Sequence, residues 1–150
     1  MDNTTLFLWA GLAIGLAGLG VGIWEWIIAQ RSLKIMGMNP ELSWSFLVLT
    51  ILGIALTESA AIYGLIIALQ IMGLDPATVS PGGVIAAGLA VGAAGFWSGV
   101  GEWLLVSGAM EAILRNPEMK GKIMTYMILF LALVESSAIY GLVVALSLLG

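Results

Sequence analysis

The sequence predicts an all-α membrane protein, with four transmembrane helices arranged as two tandem helical hairpins in parallel repeat. Three observations carry that prediction. Of the 150 residues, 61% are hydrophobic and 9% charged, and the mean hydropathy is +1.09. A soluble helical domain needs polar residues over roughly half of each helix surface, and long stretches of this chain have none. Four apolar runs are each long enough to cross a hydrocarbon core of about 30 Å at a rise of about 1.5 Å per residue. Finally, the chain superposes on itself without a gap at an offset of 77 residues, the mark of a duplication.

The first span runs from about residue 5 to about residue 36. Only Asp2 precedes it as a charged residue, with no basic segment, so it reads as a retained span and not as a cleaved leader. The second span covers about residues 43 to 72, the third about 83 to 113 and the fourth about 122 to 149. Pro40 and Pro117 fall where tight turns between spans are expected, and Leu74-Asp75-Pro76 with Pro81-Gly82-Gly83 punctuates the middle of the chain. The organisation is therefore a first hairpin over residues 1–73, a linker over 74–82 and a second hairpin over 83–150. All five basic residues, Arg31, Lys34, Arg115, Lys120 and Lys122, flank the two Asn-Pro loops. By the positive-inside rule those loops face the cytoplasm and both termini lie outside.

The first helix of each hairpin is dense in glycine, with Gly11, Gly15, Gly18 and Gly22 answered by Gly88, Gly92, Gly95 and Gly99. Glycine is a poor helix former, so this density needs a reason in packing. Small residues at spacings of three and four let backbones approach closely, which points to a crowded inner layer of helices. The tryptophans Trp9, Trp24, Trp26, Trp44, Trp97 and Trp103 read as packing or interface anchors. Trp26 and Trp103 each follow a glutamate directly and are placed to seal a site.

Without cysteine or histidine, the chain has no thiolate chemistry, no disulfide and no imidazole acid-base role. Carboxylate, hydroxyl and backbone oxygen remain. Glu25, Glu58, Glu102 and Glu135 lie inside apolar runs, where a charge costs a few kcal/mol. Glu25 stands 15 residues before Pro40 and Glu58 stands 18 after it. In a straight hairpin they therefore share a depth, about 22 and 27 Å from the turn. The same holds for Glu102 and Glu135 about Pro117. Glu41, Glu111 and Glu118, near the loop ends, read as solvated.

Two close carboxylates in a poorly solvated place cannot both stay ionised, because repulsion and desolvation each oppose the second charge. Such a pair holds one proton as a net anion and accepts either a second proton or a small monovalent cation. Both loaded forms are neutral, as carriage past lipid requires. Ser59 and Tyr63 share a helix face, whereas Glu58 is turned about 100° from Ser59 and points into a different cleft. A site can then combine the glutamates of one hairpin with the serine, the tyrosine and a backbone carbonyl near Leu56 or Leu133 of the next. Hard cations such as sodium favour oxygen ligands of this kind.

These residues resemble a known family, the membrane proteolipids that form the c-rings of rotary ATPases and ATP synthases. The likeness rests on the glycine-rich first helix, the loop Arg115-Asn116-Pro117 and the second-helix glutamate in Glu-Ser-x-x-Ile-Tyr form. The duplication is similar to that of the four-helix proteolipids often called subunit K. The resemblance implies assembly of identical subunits into a c-ring in a prokaryotic inner membrane. It also implies a stator subunit of the a or I type, a central stalk touched by Asn39, Pro40, Arg115, Asn116 and Pro117, surrounding lipid and no nucleic acid. Glu58 and Glu135 correspond to the carrier glutamate, and Ser59, Ser136, Tyr63 and Tyr140 to the hydroxyls of sodium-binding members. Glu25 and Glu102 take the place of the helix-1 glutamine, as in the two-carboxylate form of the sodium motif.

Three departures stand out. The first loop reads Met38-Asn39-Pro40 and lacks the loop arginine. The residue after the site serine is Ala60 in one copy and Ser137 in the other, a difference expected to make the two sites unequal. Both copies keep the carrier glutamate, which implies two ions per chain in each turn of the ring and favours ATP synthesis at a modest gradient. The expected function is thus an ion-carrying rotor subunit, not an enzyme, moving sodium or protons at glutamate pairs, with no cofactor. Two other readings are a small four-helix secondary transporter exchanging protons for an organic cation and a purely structural membrane module. Parallel hairpins, four acids and glycine-rich helices argue against the transporter; a structural module would tolerate glutamine at Glu58 and Glu135.

Overall fold

A computed structural model describes residues 1–150 as four long helices, α1 (Asn3–Met38), α2 (Ser43–Met72), α3 (Pro81–Arg115) and α4 (Lys120–Leu149). All four are long and apolar enough to cross a membrane. Their ends follow from local chemistry. The Asp2 carboxylate accepts the Thr5 amide at 2.8 Å at the start of α1, and the Ser80 hydroxyl accepts the Gly83 amide at the start of α3. Pro81 occupies the first turn of α3, where its missing N–H would have had no partner. Proline disfavours the helical conformation in the residue before it, so α1 and α3 stop at Asn39 and Asn116, whose φ angles are −133° and −142°. Each proline then opens a single 3₁₀ turn, Pro40–Leu42 or Pro117–Met119, that leads directly into the returning helix.

α1 packs against α2 and α3, and α4 packs against α3 and α2. The result is a slab of two layers, α1 beside α3 and α2 beside α4. An apolar cluster that includes Leu6, Ala13, Ile67, Val84 and Val91 fills the end that holds the termini. A second cluster, with Ile28, Phe46, Leu49, Met110 and Met127, fills the end near the Asn-Pro turns. Between them lies a small cluster of Val21, Ala60 and Ala138. The four intramembrane glutamates lie on the helices at this middle level.

Close helix approach depends on particular glycines. A Cβ on Gly64 would meet the Ala13 carbonyl oxygen at 2.7 Å, and one on Gly141 would meet the Ala90 carbonyl oxygen at 2.8 Å, so equivalent glycines close the two hairpins. Between the hairpins, a Cβ on Gly88 would meet the Trp9 carbonyl oxygen at 3.0 Å, and one on Gly95 would meet Ala17 Cβ at 2.8 Å. Their counterparts on α1, Gly11 and Gly18, have nothing within 4 Å, and neither do Gly15 and Gly22. The same glycine stripe is therefore packed in one copy and open in the other.

At the turn end, Arg31 of α1 donates to the Glu111 carboxylate of α3, with the Arg115 guanidinium 3.9 Å from the same carboxylate. Glu111 is thus solvated, as its position predicts, and is also an ion-pair partner between hairpins. Pairs this exposed contribute about 0–1 kcal/mol.

A candidate ion-binding site between the hairpins

The helical period brings Ser59 and Tyr63 onto one face of α2, and that face meets α4. Both hydroxyls donate to Oε1 of Glu135, Tyr63 at 2.7 Å. The Ser59 hydroxyl also lies 2.7 Å from the Leu56 carbonyl oxygen. It has one proton, so it serves one of these acceptors at a time and leaves oxygen lone pairs free on the other side. Behind Glu135, on α3, Glu102 is 0% exposed. Its Oε1 accepts the Ser98 hydroxyl at 2.8 Å, and the buried Thr57 hydroxyl stands beside the same carboxyl. Its Oε2 is buried and has no hydrogen-bond partner.

Glu102 and Glu135 are close enough for their charges to repel. A buried, unpartnered carboxylate oxygen beside a second carboxylate is costly unless a proton or a cation completes it. The polar atoms gathered there are oxygens: two carboxylates, the hydroxyls of Ser59, Tyr63, Ser98 and Thr57, and the Leu56 carbonyl. That donor set suits a proton or a small hard cation.

The other set of expected residues is divided. Glu25 and Glu58 lie on the packed helices α1 and α2, but Glu58 is exposed and no hydroxyl reaches the shielded Oε1 of Glu25. Ser136 donates only to the Leu133 carbonyl of its own helix, at 2.7 Å. Tyr140 is 66% exposed and Leu133 69%. Glu25 and Glu58 thus stand at one lateral edge of the slab, and Leu133, Ser136 and Tyr140 at the other. The loop residues Asn39, Pro40, Arg115, Asn116 and Pro117 gather at the turn end, where the Asn39 and Asn116 carbonyls accept the Leu42 and Met119 amides.

Sequence reasoning passed over Ser98 and Thr57. The available signal was a break in the repeat, since the equivalent positions are Val21 and Val134. The expected sealing tryptophans also separate. Trp103 stacks on Trp24 with centroids 4.8 Å apart, whereas Trp26 is 62% exposed.

Fold and site together define a multi-pass membrane protein of duplicated hairpins with four glutamates at the middle level of its helices. Known sequences narrow the class. The family of ATP synthase C subunits matches this chain twice, over residues 8–71 and 85–148, and the chain belongs to that family. The A-type ATP synthase subunit K of Methanocaldococcus jannaschii is 35% identical over 140 residues, which is 93% of this chain. This chain covers 59% of the length of that archaeal protein. The chloroplastic ATP synthase c protein of Porphyra purpurea is 55% identical over 71 residues, 47% of this chain and 87% of the algal one. Its counterpart in Cyanidium caldarium is 51% identical over 76 residues, 51% of this chain and 92% of its own length. The duplication is thus visible from outside as well: a relative of single-hairpin length matches about half of this chain.

Proposed function

We propose that the chain is the ion-carrying rotor subunit of an ATP synthase or ATPase, passing sodium, or in its place protons, through glutamate pairs as a ring of identical copies turns. The observation that carries this reading is the cross-hairpin site, in which Ser59 and Tyr63 of one hairpin donate to Glu135 of the other beside the buried Glu102. A pair that retains one proton is neutralised by one sodium ion, so the loaded site can pass lipid while the empty anionic site cannot. The chain is a carrier with no catalytic group of its own; the chemistry of ATP belongs to partner subunits.

The open edges support the ring. Repeating the contact between hairpins sets Ser136, Tyr140 and the Leu133 carbonyl of one copy against Glu25 and Glu58 of the next. The same step covers the bare stripe of Gly11, Gly15, Gly18 and Gly22 with the α3 helix of the neighbour. A head-to-tail contact of this kind generates a closed ring when its rotation closes. A stator subunit exchanges ions at the outer face. The Asn-Pro loops, on the cytoplasmic side by their basic flanks, meet the central stalk, and the termini face outward. A four-helix secondary transporter has no need for half-sites at both edges of the chain.

The test is the rate at which a carbodiimide, which attacks protonated carboxyls, labels Glu58 and Glu135 in the purified assembly at fixed pH. Millimolar sodium slows labelling and potassium does not, if sodium is the cargo. Rapid labelling indifferent to sodium makes the proton the cargo. Absence of labelling at both glutamates would make them buried structural groups and end the rotor reading.

A further inference from the structure

The two carboxylate pairs are related by the repeat, but their surroundings are not. Around Glu102, Ser98 donates to Oε1 from one turn earlier on the same helix, and Thr57 stands alongside while bonded to the Gly53 carbonyl at 2.9 Å. Both hydroxyls are buried, at 1% and 0% exposure, so no water competes for them. One repeat away, the residue a turn before Glu25 is Val21, and the counterpart of Thr57 is Val134. Neither valine can donate a hydrogen bond. In a ring, Val134 of the neighbouring copy stands where Thr57 stands in the enclosed site, and Glu25 has no hydroxyl from either side. Ser137, which replaces Ala60 at the chain boundary, lies on the serine side of that site and donates to the Val134 carbonyl at 2.9 Å. It leaves Glu25 unserved.

We infer that the two sites of each chain bind sodium unequally, the enclosed site of Glu102 and Glu135 more tightly than the boundary site of Glu25 and Glu58, with Ser98 as the residue that sets the difference. The inference rests on the rotor reading with sodium as cargo. Ser98 pins one oxygen of Glu102 and so turns the other, Oε2, toward the site before an ion arrives; Glu25 must be oriented at the moment of binding, which lowers affinity. A hydrogen bond to a charged group is strong enough to separate the two affinities by about 10-fold. A ring of such chains alternates tight and weak sites, and its rotation advances in pairs of unequal steps. Ser98 acts through Glu102 and is a positioning residue.

The experiment is carbodiimide labelling of the intact purified assembly over a series of sodium concentrations, with Glu58 and Glu135 read separately by peptide mass spectrometry. Glu135 is protected at about one-tenth of the sodium that protects Glu58. The variant Ser98→Val raises the Glu135 midpoint to that of Glu58. The reciprocal Val21→Ser lowers the Glu58 midpoint and guards against a folding defect in the first variant. Equal midpoints in the unaltered assembly overturn the inference and leave the rotor reading intact, as does a difference that neither variant moves. If sodium protects neither glutamate, the sodium reading itself fails and this inference with it.

Discussion

The enclosed site between the hairpins and the two half-sites at the edges are built from nearly the same residues, yet only the first is assembled within one chain. Ser59 and Tyr63 hold Glu135, while Ser136 and Tyr140, their counterparts one repeat later, hold nothing outside their own helix. The glycine stripes divide in the same way: that of α3 is pressed onto α1, and that of α1 is bare. A repeat unit that presents its glutamates on one side and its hydroxyls on the other cannot satisfy itself. It must be followed by a copy, either in the same chain or in the next. Duplication joins one such contact covalently and leaves a complementary pair of unmet faces at the edges, which is the physical basis of a ring made from four-helix chains.

The largest effects are expected at the carboxylates. Glu135→Gln removes the charge that Ser59 and Tyr63 address, and ion transport by the assembly falls to background in a vesicle uptake assay. Glu58→Gln does the same if the edge halves combine into a working site. A normal transport rate in Glu58→Gln would mean that only the enclosed site carries ions and that the edges serve assembly alone.

Substitution of equivalent glycines separates the packed stripe from the open one. Gly95→Leu forces a side chain onto Ala17, and overpacking of this kind costs about 1–3 kcal/mol, seen as a lower unfolding temperature of the dissociated chain. Gly18→Leu meets nothing in its own chain, so the isolated chain keeps its stability while the ring fails to form on native gels or in micrographs. Intact rings from Gly18→Leu would show that the bare stripe faces lipid.

Smaller effects belong to the tyrosines. Tyr63→Phe removes one hydrogen bond to the Glu135 carboxylate, and sodium protection of Glu135 weakens by about 10-fold with Glu58 unaffected. Tyr140→Phe shifts protection of Glu58 and leaves Glu135 alone, although Tyr140 makes no such bond within its own chain. Response of Glu135 to both variants would contradict the assignment of the edge hydroxyls to the neighbouring copy.

Four spans, the turns at Pro40 and Pro117, the duplication and the common depth of each glutamate pair were all legible in the amino-acid order alone. These follow from composition, from the rise of a helix and from a fixed offset, all of which act along the chain. The 100° step between Glu58 and Ser59 likewise required that they enter different clefts. The spacing also pointed to a site shared between one hairpin and the next, but which half-sites meet within one chain and which stay open at its edges was settled only by helix packing. Identical glycine stripes held no sign of which one α1 or α3 would bury, because that depends on the side of the repeat where the chain continues. The stacking of Trp103 on Trp24, the pairing of Arg31 with Glu111 and the hydroxyls of Ser98 and Thr57 around Glu102 all join residues distant in sequence or set apart from the repeat. Periodicity records what the two copies share. Their differences acquire meaning only when a particular neighbour, such as the buried Oε2 of Glu102 in search of a partner, is brought within a few ångströms.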